Sequence, residues 1–221
     1  MELKNFNTLT KTQHTQAAQI LTDEVPQGWA ALADAIEQID EILTGEPGFC
    51  IAAVENNEVI GWAGLLKSYG KIYELHPLVI RRDKQRSGVG SLLLAEIENA
   101  ARERGGVTLM LGSGDEKPGG ETSLANVELY EDLPKKLAAF NPNSHPTAFY
   151  LKRGYTVIGV VPDAYGLGVP DIMMAKRLPA SLSGRQVSAP TANVGRDAPG
   201  RLGEQSAARW TTSLGAPWRT T

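Results

Sequence analysis

A short glycine-containing loop leads into an amphipathic helix within residues 71–104, KIYELHPLVIRRDKQRSGVGSLLLAEIENAARER. The first backbone N–H groups of a helix lack intrahelical partners and carry partial positive charge, so they bind phosphate readily. Gly88 and Gly90 lack the Cβ atoms that would hold a pyrophosphate away from the backbone. Positive charge around the loop comes from Arg81, Arg82, Lys84 and Arg86. The stretch therefore predicts an anion site at a helix start.

The glycine spacing excludes two common nucleotide motifs. A dinucleotide fingerprint needs a third glycine three residues after Gly90, where Leu93 stands, and no Walker Gly-Lys-Ser/Thr follows. We therefore do not expect the phosphate to belong to a nicotinamide cofactor or a nucleoside triphosphate. Taken alone, QRSGVG fits an ordinary helix-entry turn equally well, so the flanking sequence must decide.

The elements before this loop are predicted from their hydrophobic period. Two helices are expected at about 11–24 and 30–44, separated by Pro26 and Gly28. Three β-rich runs then form an antiparallel meander, at residues 49–55, 58–68 and 71–80. Because an interior proline cannot donate a ladder hydrogen bond, Pro77 predicts an edge or a bulge in the third run.

The elements after the loop alternate between helix and strand. We expect a helix from Gly88 to about Arg104, a buried strand at 107–111, and a helix through 126–140 interrupted at Pro134. A short helix and two closing strands follow, at 145–154, 155–161 and 171–178. This order predicts an α/β (α+β) fold with a mixed sheet around a central helix, rather than a doubly wound fold.

Composition predicts one domain, residues 1–178, followed by a disordered tail, residues 179–221, rich in Pro, Gly, Ala, Ser and Thr. No run approaches the roughly 20 apolar residues of a membrane span, and the N-terminus lacks the apolar core of a signal peptide. We therefore expect a cytoplasmic protein without a membrane partner. Cys50 is the only cysteine, so an internal disulfide is excluded, and it lies in an apolar run typical of a buried thiol. The three histidines are scattered along the sequence and indicate no metal site.

Charge is divided unevenly along the chain. The tail has five arginines against two acidic residues, a charge of +3, which leaves −6 on residues 1–178 from a total of −3. An acidic body suits a cationic substrate, although net charge also serves solubility, and it disfavours nucleic-acid binding.

Several segments together carry a family resemblance. QRSGVG matches the Gln/Arg-x-x-Gly-x-Gly/Ala motif by which GNAT acyltransferases hold the pyrophosphate of acetyl-CoA, in the same strand, loop and helix context. From Tyr73 to Leu178 the chain resembles the chromosomal aminoglycoside 6′-N-acetyltransferases of that superfamily. The matching segments are YELHPLVI, QRSGVGSLL, RGGVTLMLG, the LYEDL segment, HPTAFYLKRGY, IGVVPDAYG and PDIMMAKRL.

The resemblance implies a GNAT fold in which a bulge at His76-Pro77 splays two central strands to make the acetyl-CoA cleft. The Leu78 amide is then the donor to the thioester carbonyl, and Val79 and Ile80 pair with the pantetheine arm. Tyr150 matches the tyrosine that protonates the departing CoA thiolate. Pyrophosphate contacts fall on the loop and first helical turn: Gln85, Arg86, Ser87, Gly88, Val89, Gly90 and Ser91.

The resemblance also assigns an acceptor site for a cationic aminoglycoside. Glu74 is the candidate base or ammonium anchor, because an alkyl ammonium must lose a proton before it attacks; the alternative is a solvated strand residue. His76 is either a packed histidine or a support for the site. Carboxylates and aromatic faces should line the cleft. The candidates are Trp29, Tyr69, Glu74, Asp115 and Glu116, with Glu121 as a further one.

Two alternatives stay open at this point. The chain could acetylate another amine, such as a polyamine, an amino sugar or a peptide N-terminus, because acceptor choice depends on a few loop contacts. It could also be a non-catalytic CoA-binding sensor, although Glu74 and Tyr150 argue against this. Tyr165 and Met173 depart from the family pattern, as does an extra Pro-Gly-Gly in loop 112–122. Homodimerisation is implied by the resemblance alone.

Overall fold

A computed structural model describes residues 1–179, and the predicted tail therefore lies outside the described residues from 180 onward. The described chain has five α-helices: α1 (Lys11–Glu24), α2 (Leu32–Thr44), α3 (Val89–Glu103), α4 (Leu133–Ala138) and α5 (Thr147–Leu151). Its strands are β1 (Glu2–Asn5), β2 (Phe49–Glu55), β3 (Glu58–Tyr69), β4 (Ile72–Ile80), β5 (Thr108–Gly114), β6 (Thr156–Val161) and β7 (Asp171–Arg177).

The strands form one mixed sheet in the order β1-β2-β3-β4-β5-β7-β6. All neighbours are antiparallel except β4 and β5, which run parallel and are joined through α3. The predicted mixed, mostly antiparallel sheet is therefore confirmed. The meander β2-β3-β4 is confirmed as well, and its first turn uses Asn56 and Asn57 at φ of 50° and 67°, values that asparagine tolerates better than most residues.

Two elements differ from the sequence prediction. β1 was not predicted, because its four residues show no alternation of apolar and polar side chains. The helix expected over 126–140 is wrong for its first half, and only Leu133–Ala138 is α-helical. Asn126 and Asp132 have φ of 55° and 52°, and such left-handed residues cannot continue a right-handed helix.

Helices cover both faces of the sheet. On one face α1 and α2 bury Leu21 and Ile39 against Trp62, whose indole Nε1 donates to the Ala17 carbonyl at 2.9 Å. On the other face α3 buries Leu93 and Ile97, as expected of an amphipathic helix. Apolar positions in β2 alternate between these two cores, as expected when both faces of a strand are covered.

The central strands separate after a short parallel ladder. β4 and β5 pair only over Ile72–Glu74 and Thr108–Met110; beyond these, β4 pairs with β3 and β5 with β7. Since parallel strands share a direction, the gap opens at their carboxyl ends, where open sheets bind ligands. The predicted splay is confirmed.

A bulge lies where β4 leaves β5. Leu65 is opposite Leu75 and Ala63 is opposite Leu78, so Gly64 alone faces His76 and Pro77. A Cβ atom on Gly64 would lie 2.4 Å from the His76 carbonyl oxygen. The glycine therefore lets the bulged strand β4 approach β3. Because β4 has one extra residue at the bulge, the alternation of its side chains between the two sheet faces is reversed after Pro77.

Candidate active site

The end of β4 presents backbone groups to the splay. The Arg81 amide donates to the Ile60 carbonyl of β3 at 3.0 Å, so by alternation the backbone groups of Leu78 and Ile80 point away from β3. The Ile80 carbonyl accepts from Gln85 Nε2 at 3.0 Å, which agrees with this direction. The backbone of Val79 faces β3, opposite Trp62. Leu78 and Ile80, but not Val79, can therefore pair with a ligand in the cleft.

The loop after β4 leads into an uncapped helix start. Gly88 has φ of 94° and precedes α3, and no side chain caps the helix. The amides of Ser91 and Leu92 donate to the Gly88 carbonyl at 3.0 and 3.2 Å. Within residues 1–179, the amides of Val89 and Gly90 have no acceptor. These two N–H groups lie where the sequence predicts an anion site, and free amides at a helix start suit an anion.

The loop carries less free positive charge than its composition indicates. Arg81 pairs with Glu58 at 3.2 Å and with Asp83 at 2.7 Å, and Lys84 pairs with Glu55. Ser87 Oγ donates to the Lys84 carbonyl at 2.5 Å. Arg86 is exposed and has no ion pair in the described part of the chain. Backbone amides, more than basic side chains, are therefore the prepared groups for an anion.

A residue that sequence analysis missed lies beside this helix start. Arg153, just after α5, donates to Ser91 Oγ and to the Phe149 carbonyl, and its guanidinium stacks on the Phe149 ring at 3.5 Å. A Cβ on Gly90 would approach the same ring at 3.5 Å. Arg153 therefore adds positive charge to the first turn of α3, and the only sequence signal was its place in the YLKRGY segment.

Tyr150 of α5 is buried in the core to which Leu78 and Ile80 also pack. Its ring meets Phe149 and Tyr155 edge-on at 5.1 and 5.6 Å. Burial raises the pKa of its phenol above the ordinary value, so the group stays protonated at neutral pH. No partner for its hydroxyl is found within residues 1–179, whereas the Tyr155 hydroxyl donates to Glu98 at 3.2 Å. Tyr150 thus has a proton free to donate.

Carboxylates gather on the sheet face beside the splay. Burial raises the pKa of Glu74, with the negative charge of Asp171 as the second cause. Burial raises the pKa of Glu116 as well, again with the negative charge of Asp171 as the second cause. The pKa of Tyr165 rises to about 12, first through burial and then through the negative charges of Asp171, Glu116 and Glu74. The charges of these groups therefore act on one another. Asp171, which was not predicted from the sequence, contributes to each of the three shifts.

Two glycines of β5 make room for this cluster. A Cβ on Gly112 would lie 2.6 Å from Asp171 Oδ2, and one on Gly114 would lie 2.6 Å from the Tyr165 ring and 2.9 Å from Glu116 Oε1. Asp171 Oδ1 is buried without a hydrogen-bond partner. Burial raises the pKa of Asp171, while the Ser113 amide and His145 act in the opposite direction. None of Glu74, Glu116 and Asp171 forms an ion pair within the described residues.

The other predicted acceptor residues have different environments. Trp29, between α1 and α2, meets the His76 ring edge-on at 5.7 Å. Burial lowers the pKa of His76, which favours a neutral imidazole. Tyr69 is 63% exposed at the end of β3. Trp29 therefore packs on a residue of β4 that lies two positions after Glu74, while Tyr69 lies at the far end of β3.

Asp115 does not present its carboxylate to a ligand, contrary to the prediction. It is 1% exposed, and its two oxygens accept from the amides of Glu121 and Thr122, each at 2.7 Å. Possible metal-ligand atoms lie within 4.8 Å of one another on three residues, Asp115, Glu121 and His145. However, His145 contacts Thr147 and the Gly114 carbonyl, and Glu121 pairs with Lys117. Hydrogen bonds thus account for the cluster, which stabilises the loop.

Comparison with known proteins identifies the family of this arrangement. The Acetyltransferase (GNAT) family matches residues 14–131, a span that contains the splay, the bulge and the loop before α3. No curated protein matches the chain.

Solved structures extend the likeness to the rest of the sheet. An aminoglycoside 6′-N-acetyltransferase complexed with coenzyme A is 32% identical, with a TM-score of 0.74, and the match covers 82% of this chain and 99% of that one. The aminoglycoside 6′-N-acetyltransferase from Enterococcus faecium is also 32% identical, with a TM-score of 0.72 and the same coverage. An aminoglycoside 6′-acetyltransferase type Ii is 27% identical, with a TM-score of 0.62 over the same shares of the two chains.

Proposed function

The chain belongs to the GNAT family of acetyltransferases, and on that premise we propose that it transfers the acetyl group of acetyl-CoA to the 6′-amino group of an aminoglycoside. We propose direct transfer, with both substrates bound together, as an antibiotic-resistance activity. The observation that carries the acceptor assignment is the group of three carboxylates without a cationic partner in the described residues.

Acetyl-CoA is the cosubstrate of this family, and the residues at the cleft fit it. It supplies an activated thioester with a long amide-containing arm and a pyrophosphate. The free amides of Val89 and Gly90 suit the pyrophosphate, with Arg153 beside them. The backbone groups of Leu78 and Ile80 suit the amide-containing arm, and Leu78 has the N–H that would polarise the thioester carbonyl.

Glu74 is the proposed proton acceptor. An alkyl ammonium must lose a proton to expose its lone pair, and a carboxyl group with a raised pKa is better matched to that task than an ordinary one. Asp171 contributes to this pKa and adds a second negative charge on the same sheet face. Glu74 therefore combines attraction for a cation with the ability to take its proton.

Tyr150 is the proposed proton donor to the departing thiolate. Its phenol is neutral near pH 7, and burial raises its pKa further above the ordinary value. The hydroxyl is not committed to another residue in the described chain. Proton donation of this kind contributes roughly 10² to 10⁴ in rate in other enzymes.

A polycationic acceptor explains the charges around Glu74. Glu116 and Asp171 are partly buried without a positive partner in residues 1–179, and unpaired buried charges are costly unless a ligand neutralises them. An acceptor with several ammonium groups could neutralise more than one of these. We also propose a homodimer, on the strength of the family resemblance. No helix in residues 1–179 is long and apolar enough to cross a membrane.

The test is release of CoA from acetyl-CoA by the purified full-length chain. We expect release with kanamycin and tobramycin, and no release with a counterpart that has a 6′-hydroxyl instead of the amine. Polyamines, amino sugars and peptides with a free N-terminus complete the panel. Turnover on one of these and not on the 6′-amines would refute the proposed acceptor, and CoA binding without turnover on any amine would support a sensor.

A further inference from the structure

A carboxylate occupies an electrostatically unfavourable position beside the phosphate loop. Glu24 is the last residue of α1, where the helix dipole disfavours negative charge. Its side chain is only 14% exposed. Glu24 also lies against loop 82–88. A carboxylate at this place repels a pyrophosphate that binds to the loop. Its contacts must therefore compensate for both effects.

Two hydrogen bonds tie Glu24 to the loop, and a third joins one of its partners, Gln85, to β4. Glu24 Oε1 accepts from the Arg82 amide at 3.0 Å, and Oε2 accepts from Gln85 Nε2 at 3.0 Å. The same Gln85 amide nitrogen donates to the Ile80 carbonyl, also at 3.0 Å. The donors lie 58 and 61 residues from Glu24 in sequence, so these bonds fix the loop to a separate helix.

We propose that Glu24 is a positioning residue for acetyl-CoA, which holds loop 82–88 in the conformation that aims the amides of Val89 and Gly90 at the pyrophosphate. The inference rests on the proposed use of this loop for CoA. Gln85 then acts as a bridge whose side chain points to Glu24 and Ile80, not to the phosphate. Without Glu24 the loop must be ordered when the cofactor binds, and that cost appears in the affinity.

The test compares CoA binding to three variants by calorimetry. Glu24→Ala removes both bonds, and we expect CoA affinity to fall about tenfold. Glu24→Gln keeps an acceptor for the Arg82 amide, so we expect a loss of about threefold. Asp23→Ala is the matched control, because Asp23 is the adjacent carboxylate and, within residues 1–179, its side chain hydrogen-bonds only with Gln19, at 2.8 Å. It removes the same charge without touching the loop, and CoA affinity should not fall.

A truncated donor separates positioning from general damage. S-acetylpantetheine has no pyrophosphate, so the Glu24→Ala variant should use it at the wild-type rate while its KM for acetyl-CoA rises. An equal loss with both donors would assign Glu24 a structural role and overturn the proposal. Tighter CoA binding in Glu24→Ala would also overturn it, because charge would then outweigh the hydrogen bonds. Absence of CoA binding by the wild-type chain would instead refute the proposed function.

Discussion

Replacing Asp171 with asparagine should weaken acceptor binding far more than donor binding. Its carboxylate lies over Gly112, two residues along β5 from Met110, which pairs with Glu74. The Asp171 carboxylate is therefore one strand across the sheet from the Glu74 backbone and two residues further along the strand direction. These two offsets together give a separation of roughly 8 Å. That distance lets one polycationic acceptor engage both carboxylates through different ammonium groups.

The magnitude follows from the contact that Asp171→Asn would lose. A contact between an ammonium and a carboxylate at about 4 Å is worth roughly 4 kcal/mol at an effective dielectric constant of 20. Desolvation and ordering of both groups reduce this to the ~1.5–3 kcal/mol typical of a hydrogen bond to a charged group. The KM for the acceptor should therefore rise about 10- to 150-fold.

The assay measures initial rates of CoA release against acceptor concentration, and then against acetyl-CoA concentration. The KM for acetyl-CoA should stay within about twofold of the wild-type value, since Asp171 belongs to the proposed acceptor site and not to the loop before α3. Asp40→Asn on the exposed face of α2 is the control for a change in net charge. An unchanged acceptor KM in Asp171→Asn would refute the reasoning, because the unpaired carboxylate would then have no role in recognition.

The same variant makes predictions about pH. Asp171 raises the pKa of Glu74, so its removal should move the acidic limb of the kcat/KM profile to lower pH. Since the folded-state pKa of Asp171 is raised, its contribution to stability is present at low pH and is lost as pH rises through that folded-state value. Asp171→Asn should therefore have a higher Tm than the wild type at pH 7.

Three further predictions concern separate parts of the site. Tyr150→Phe should lower turnover roughly a hundredfold with little change in acetyl-CoA KM, whereas Tyr155→Phe should mainly lower Tm; equal turnover in both variants would remove Tyr150 from the mechanism. Gly64→Ala should destabilise the fold by about 2–4 kcal/mol in urea unfolding, because its Cβ would lie 2.4 Å from the His76 oxygen; wild-type stability would contradict the bulge geometry. Cys50 should react with a thiol reagent only after unfolding, since burial raises its pKa to about 12; rapid labelling of the native protein would contradict this.

The fold was predictable where local patterns agree with tertiary structure. The period of α3, the meander of residues 49–80 and the bulge at Pro77 all have local causes, and each is present in the structure. The helix predicted from 126 failed because a long-range contact competes with the local pattern. The Asn126 amide donates to the Gly168 carbonyl at 2.9 Å, which holds that segment against a distant loop.

The site was harder to predict than the fold. Glu74 stood out because it is a charge in an apolar strand, whereas Asp171 begins a strand after a proline and looks like an ordinary turn residue. Asp115 gave the opposite error, since an acidic loop residue turned out to be buried as an acceptor for loop amides. Glu24 gave no signal, because its partners are 58 and 61 residues away. Such roles depend on which segments meet, and one sequence does not encode that locally.

The two glycines of β5 give the proposed acceptor site an unusual route to change. Gly112 and Gly114 have no functional group, yet a methyl group at either position would collide with Asp171 or Tyr165. A substitution there would displace a recognition group while every charged residue stayed in place. Under the proposed function, the range of acetylated amines would therefore change through residues that a search for catalytic side chains would pass over.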